Sequence, residues 1–423
     1  MPAVEHLRTI PAFAFMNVHL YRFVDRVFGP PICAVLSVFD WLLPRRAVGR
    51  PRKILVILLS EMGSQVLASP MFARLKARYP GTSLHLLLFA RNRETVEILG
   101  LVPDENVIAL DDRSIWHLIS GAFRAVRTLR SLKADVTIDC ELFARLSSIL
   151  SLVSGAPVRV GFHRFTQEGL YRGSFLTRPV LYNPYHHISD QFLTLTEAIE
   201  SDSVPSGKRA TNALNELPSS KGLPPAEIEE RIARLHRDFP AISDKSLVLV
   251  YASGGILPIR AWPLEHFHKL SACLVAKGYA VGVIGLPSDA PLGESIVAHC
   301  GVPHCVNLCG YTESMRHLLA LFHRASLLVA NDGAPGQFAA ITSLPTILLF
   351  GPETPGLYAP LAPNIHTMYL GYSCSPCLTA YNHRDSPCDG DNQCLKQIAV
   401  GSVLQKAGEL LAAPVLAQGK EAR

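Results

Sequence analysis

With 423 residues the chain exceeds one ordinary hydrophobic core and suits two domains. Hydrophobic residues make up 48% and charged residues 18%, which excludes a disordered chain. The net charge is +5, but residues 1–53 hold eight Lys/Arg against three acids and leave 32 of each sign elsewhere. The excess is therefore confined to the N-terminus, which argues against a nucleic-acid-binding surface spread over the protein.

The N-terminal stretch is apolar and aromatic (Phe13, Phe15, Leu20, Phe23, Phe28, Ile32, Val35, Phe39, Trp41) and then basic (Arg45, Arg46, Arg50, Arg52, Lys53). Its longest apolar run, from Pro30 to Leu43, is broken by Asp40 and is shorter than the roughly 18–20 residues of a spanning helix. No small-residue cleavage site marks a signal peptide. Two readings stay open: a segment lying on the cytoplasmic membrane face, or a helical hairpin packed on the first domain. The expected location is cytoplasmic, with peripheral attachment to the inner face of that membrane under the first reading.

From residue 53 the pattern alternates. Lys53–Leu59 is an unbroken apolar strand, as in a parallel sheet covered on both faces. A turn at Gly63 leads into a helix that stops at Pro80-Gly81. Strands follow at 84–89, 107–110 and 135–139, with helices at 93–99, 115–132 and 142–152 between and after them. Strands alternating with helices imply βαβ units with right-handed crossovers. Residues 201–224 lose apolar periodicity and read as a linker. Alternation resumes with strands at 247–251, 280–284, 327–330 and 346–350 and helices at 264–277, 288–300, 314–324 and 335–342. The expected organisation is an N-terminal extension (1–53), an acceptor-side domain (54–200), the linker, and a donor-binding domain (225–413) with a Cys-rich loop (371–395). Two doubly wound Rossmann-like domains would face each other across a cleft, where such folds bind ligands. No residue-level repeat relates the halves.

The sharpest local signal is Asn331-Asp332-Gly333-Ala334-Pro335-Gly336-Gln337, between a buried strand and a helix. Pro335 suits a first helical position, the helix start offers amides to a diphosphate, and Gly333, Ala334 and Gly336 would let it approach the backbone. A small-residue turn that binds nothing has the same composition.

This stretch resembles the donor loop of the ADP-heptose:lipopolysaccharide heptosyltransferases, glycosyltransferase family 9, which runs Asn-Asp-Ser-Gly-Pro-x-His. The first strand with Gly63, Pro70, Leu75 and Tyr79-Pro80 is similar to that family's N-terminal signature. Arg260-Ala261-Trp262-Pro263 resembles its Lys-x-Trp-Pro segment, and Asn307-Leu308-Cys309-Gly310-Tyr311-Thr312 resembles Asn-Leu-x-Gly-x-Thr. The resemblance covers residues 50 to 400 and implies the GT-B fold. It further implies transfer of heptose or a related sugar from an ADP-sugar to a lipopolysaccharide, glycolipid or polysaccharide acceptor, inverting and metal-independent. Ser253, Arg260, Asp332, Gly333, Ala334, Pro335, Gly336 and Gln337 would then hold the donor, Arg260 gripping phosphate.

The chain departs from the family where the proton is removed. Gly63-Ser64 stands where the family has Gly-Asp, its expected catalytic base, and Gln337 replaces the donor-loop His. Ser64 cannot take a proton from an acceptor hydroxyl unaided, so Glu61 becomes the first candidate for that role. Asp139, Glu141 and His163 also follow strands on this side. The replacements motivate an alternative, a catalytically impaired nucleotide-sugar-binding or scaffold protein of the same fold; a nucleotide-sugar epimerase accounts less well for the Trp-Pro and Asn-Asp segments. No cofactor is expected for catalysis. Cys374, Cys377, Cys388 and Cys394 are open to three readings: a structural zinc site, a disulfide pair or reduced thiols.

Overall fold

The computed structural model describes residues 18–42, 49–59, 62–111, 115–165, 171–218, 220–379 and 385–412. After helix α1 (Val18–Leu42) come β1 (Lys53–Ile57), α2 (Met62–Arg78), β2 (Ser83–Phe89), α3 (Arg93–Leu99), β3 (Val107–Leu110) and α4 (Ile115–Leu132). Then follow β4 (Val136–Asp139), α5 (Arg145–Val153), β5 (Val158–His163), β6 (Arg178–Leu181) and α6 (Ile188–Ala198). The second half starts with α7 (Pro225–Asp238), β7 (Leu247–Tyr251), α8 (Leu264–Ala276), β8 (Ala280–Gly285), α9 (Ala290–Cys300), β9 (Cys305–Cys309) and α10 (Met315–Arg324). It continues with β10 (Ala325–Asn331), α11 (Ala334–Ala339), β11 (Thr346–Leu349), α12 (Pro355–Tyr358), β12 (Ile365–Met368), α13 (Gln393–Lys396) and α14 (Val400–Ala412).

These strands form two six-stranded parallel sheets, ordered β3-β2-β1-β4-β5-β6 and β12-β11-β10-β7-β8-β9. Read from the other edge, the second order winds as the first does. In each sheet the chain leaves its first strand toward one edge and returns to build toward the other. The switch points therefore lie between β1 and β4 and between β7 and β10, where ligands bind outside the strand ends.

Burial on both faces explains the unbroken apolar strands. Ile54, Val56 and Leu58 pack with Val66, Met71 and Leu75 of α2, while Leu55, Ile57 and Leu59 pack with Ala125 and Leu129 of α4 and Leu150 of α5. The helix expected at 142–152 begins only at Arg145, and the donor-loop helix closes at Ala339 instead of reaching 342.

Within the N-terminal extension, Val18–Leu42 is one helix that continues through Pro30-Pro31, and residues 1–17, where a hairpin partner would have to lie, are outside the described residues. Both halves of α1 are pinned to the first domain. Asp25 caps the start of α5, accepting from the Arg145 and Leu146 amides at 2.9 and 3.2 Å, and pairs with the Arg145 guanidinium at 3.0 Å. Near the other end, Asp40 pairs with Arg159 at 2.7 Å, both nearly enclosed. At Gly29 a Cβ would fall 2.3 Å from the Arg145 side chain, so only glycine permits this approach of α1 to α5.

The halves meet through specific bonds. Glu94 of α3 accepts from the Met315 and Arg316 amides at 3.0 and 3.1 Å, capping α10 of the other half. His187, the cap of α6, accepts at Nδ1 from the Ser189 amide and so donates from Nε2 to the Ala359 carbonyl at 2.9 Å. Between the sheets, the described residues of 201–224 carry only a short 3₁₀ turn, Ala213–Asn215, and the Lys221 amide is tied to the Ile98 carbonyl.

Candidate functional site

The two switch points are brought together by α2 and α11. A Cβ on Gly63, in the first turn of α2, would lie 3.1 Å from the Gln337 side chain. Two of the residues singled out from the sequence are thus neighbours across the halves. Ser64 follows in the same turn and is half-buried. Glu61, the first candidate for the base, lies outside the described residues.

In the second half, Asn331 at the end of β10 organises the segment. Its Oδ1 accepts from the Trp262 amide at 3.0 Å, and its Nδ2 donates to the Ala252 and Ser253 carbonyls at 2.9 and 3.2 Å. The Arg-Ala-Trp-Pro stretch is thereby fixed to the β7/β10 switch point, with the Trp262 indole N–H donating to the Ile398 carbonyl. Ser253 follows β7; its hydroxyl donates to Asp289 at 2.8 Å and accepts from the Gly255 amide. The sequence pattern draws Ser253, Arg260 and residues 332–337 together, and they do surround one sheet edge.

Arg260 is nearly enclosed, and its Nη1 donates to Asp332 at 3.3 Å and to Glu353 at 3.4 Å. The guanidinium expected to meet donor phosphate is therefore engaged by two carboxylates here. Its Nε is buried without a partner among the described residues. The small residues of the loop have different tasks. Gly333 is extended, and a Cβ there would touch the Tyr251 ring at 3.3 Å. A Cβ on Gly336 would collide with Leu348 at 2.4 Å, so this glycine serves the packing of α11 on β11 and not the approach of a ligand. Ala334 and Pro335 form the first turn of α11, and Gln337 donates through Nε2 to the Tyr358 carbonyl at 2.8 Å.

In the first half, Asp139 is fully buried at the end of β4 and pairs with Arg172. Burial pushes its carboxyl up, against the pull of Arg172 and the Glu141 amide. Arg172 also donates to the Glu141 and Phe162 carbonyls and to the Ser147 hydroxyl. This carboxylate is a structural counter-charge, enclosed away from any hydroxyl it might deprotonate. His163 accepts at Nδ1 from the Phe165 amide at 2.9 Å, so its ring proton is on Nε2. Burial, then Arg164 and Arg172, hold its pKa down and keep it neutral. With its acceptor nitrogen occupied, His163 offers a hydrogen bond and not a base. It lines a small pocket with Leu142, Phe143, Phe162, Arg164 and Tyr182. Glu141 stands half-buried beside this cluster, at the β1/β4 switch point.

Sequence reasoning missed Tyr251, Asp289, Glu353 and Gln65. Glu353 follows the strand that accompanies the donor loop, but nothing local shows that it reaches Arg260. Gln65 is fully enclosed, with both side-chain polar atoms unpartnered among the described residues, one turn from the Gly63–Gln337 contact.

The thiols of the Cys-rich loop differ in setting: Cys394 is buried, Cys377 and Cys388 are half-buried and Cys374 is exposed. Burial pushes the Cys394 thiol up, and its three neighbours push it further. Cys377 accepts from the Ser386 hydroxyl at 3.1 Å. Among the described residues, which leave out 380–384 of this loop, no group of three or more His, Cys, Asp or Glu is arranged to hold a metal.

Comparison with known proteins agrees with this geometry. Residues 122–386 match the family described as glycosyltransferase family 9 (heptosyltransferase). The chain is 29% identical over 143 residues to lipooligosaccharide heptosyltransferase 2 of Haemophilus influenzae, covering 33% of this chain and 40% of that relative. It is 22% identical to lipopolysaccharide heptosyltransferase 2 of Salmonella typhimurium over 85% of this chain and 98% of that one. A solved structure of E. coli ADP-heptose lps heptosyltransferase II superposes with a TM-score of 0.65 at 21% identity, covering 85% of this chain and 98% of that one. The fold is GT-B, two Rossmann-like halves with a helical N-terminal extension, and the chain is a glycosyltransferase belonging to family 9.

Proposed function

We propose that this enzyme moves heptose, or a closely related sugar, from an ADP-sugar to a lipopolysaccharide-type glycolipid or polysaccharide, with inversion and without a metal. The observation that carries this reading is the close approach of Gly63 in α2 to Gln337 in α11, which sets the two halves' switch-point helices against each other. In this reading the half containing β1–β6 receives the acceptor and the half containing β7–β12 receives the donor. Asp332 and Glu353 fix the Arg260 guanidinium through Nη1 and leave Nε for a phosphate oxygen. That charge, with the amides at the start of α11, takes up the negative charge of the leaving diphosphate. Glu61 removes the proton from the attacking hydroxyl as it bonds to the anomeric carbon and the carbon–diphosphate bond breaks. The relatives named above, a lipooligosaccharide and a lipopolysaccharide heptosyltransferase, support the choice of sugar and acceptor.

The test is calorimetric titration with a panel of nucleotide-diphosphate sugars, followed by turnover with the donor that binds. Arg260→Lys, which keeps the charge but loses the forked geometry, should weaken that donor about tenfold. Glu61→Gln should bind donor as wild type does and lose about a hundredfold or more in turnover. Failure of the folded protein to bind any donor overturns the transferase reading in favour of a scaffold. Wild-type turnover by Glu61→Gln removes that residue as base and leaves Glu141 as the next carboxylate to replace.

A further inference from the structure

Helix α1 is docked the opposite way round from an ordinary surface helix. Its polar positions, Asp25 and Asp40, face the protein and are neutralised there by Arg145 and Arg159, with Gly29 and Cys33 between them on the same side. Its apolar residues face outward at spacings of three and four: Val27, Phe28, Ile32, Val35, Phe39 and Leu42 are all exposed, and Trp41 is 80% exposed. Among the described residues from Val27 to Leu42 no charged side chain interrupts that outer face and none covers it; the exposed Arg26 precedes it. A continuous apolar stripe along a helix of 25 residues is far from the scattered exposure normal for a soluble surface.

Cations flank the stripe. The sequence beyond α1 holds Arg45, Arg46, Arg50, Arg52 and Lys53, of which the last three are exposed. Lys53 Nζ donates to the Leu132 carbonyl at 3.1 Å, tying this basic stretch to the end of α4. There Arg124, Arg127 and Arg130 form a second exposed row at spacings of three. α1 and α4 both pack against α5, on the same side of the first sheet. The nearby Asp135 is occupied by the Arg52 and Lys53 amides.

We propose that α1 is a membrane-docking helix that lies flat in the interface of a bilayer rich in anionic phospholipid, its apolar stripe among the acyl chains and the flanking Arg/Lys on the headgroups. No helix among the described residues is long and apolar enough to cross a membrane, so the attachment is interfacial. Asp25 joins α1 to the start of α5, which follows β4 at the edge where the candidate site lies. Asp40 joins the other end of α1 to Arg159 near the start of β5, so docking lays the first domain alongside the lipid surface. The proposal does not depend on the identity of the sugar or the acceptor.

The full-length protein is sedimented with phosphatidylcholine vesicles and with vesicles that also contain phosphatidylglycerol. Binding is expected to the anionic vesicles, weakened by salt. Phe39→Asp and Val35→Asp, both at exposed positions, should retain the wild-type melting temperature and lose about tenfold or more in vesicle affinity. Trp41 emission should shift to the blue on addition of anionic vesicles, and Trp41→Phe should bind but lack the shift. Absence of sedimentation overturns the proposal. So does a dimer in solution that Phe39→Asp dissociates without any vesicle binding, which would assign the stripe to a second copy. Emission from Trp41 that is already blue and unmoved by vesicles would mean that the chain covers its own stripe.

Discussion

Replacement of Arg260 by alanine tests the donor-side geometry most directly. The guanidinium holds Asp332 and Glu353 at 3.3 and 3.4 Å, and their side chains are only 7% and 4% exposed. Without the cation, two enclosed carboxylates are left without a counter-charge. Removing one partner from a buried ion pair costs about 3–5 kcal/mol. With about 2–4 °C per kcal/mol for domains of this size, the melting temperature should fall by about 6–20 °C. Loss of donor binding in Arg260→Ala is then partly a loss of fold, which is why the lysine variant is the cleaner probe of phosphate contact. Urea denaturation followed by circular dichroism at pH 7 and pH 5 supplies the discriminating reading. The variant should unfold at lower urea than wild type at both pH values. If Arg260→Ala melts within about 1 °C of wild type, the argument from a buried triad fails and Arg260 is a simple phosphate ligand.

Three other outcomes follow from the same structure. Asp139→Asn should destabilise by about 3–5 kcal/mol because Arg172 is left buried and uncompensated; a variant with the wild-type urea midpoint but no turnover would instead make Asp139 the base. Gly336→Ala should cost about 1–3 kcal/mol through collision with Leu348, and Leu348→Val in the same chain should recover part of it in thermal melts. Nine histidines, at 85, 163, 187, 236, 266, 268, 317, 323 and 366, have pKa values held below the usual value, chiefly by burial. Unfolding raises each toward about 6.5, so the unfolded chain binds more protons in mild acid. Their contribution is complete above that pH and declines below it. Glu197, Glu200 and Glu227, held low by arginine partners despite burial, add a loss of the same sign at lower pH. A urea midpoint unchanged between pH 7 and pH 5.5 would contradict this.

Much of the frame was legible because parallel strands buried on both faces write themselves as unbroken apolar runs; Lys53–Leu59 and Leu327–Asn331 are the clearest. β5 was harder to read. Val-Arg-Val-Gly-Phe-His places a charge inside a buried strand, and Asp40, 119 residues away, makes that arginine acceptable there together with the Phe175 and Ala156 carbonyls. The same distance effect hid the Arg260 arrangement, whose three members are separated by 72 and 93 residues. At Gly336 the packing constraint comes from Leu348 on the next strand, which no local pattern reveals. The outward face of α1 was visible as an apolar period, but which side would be buried depended on partners for two aspartates that no local pattern reveals.

Glu94 reaches from one half to the first turn of α10 in the other, and His187 does the same toward Ala359. Both bonds are made to backbone groups, so they hold position without asking anything of the partner's side-chain identity. A charge-assisted cap of this kind contributes about 1 kcal/mol, only somewhat more than thermal energy. Together these two latches favour the observed arrangement by roughly thirtyfold, in addition to the packing of α2 on α11 and of α3 on α10. If the enzyme admits a large acceptor and discharges a nucleotide as proposed, these backbone bonds are the contacts that any opening would break and remake.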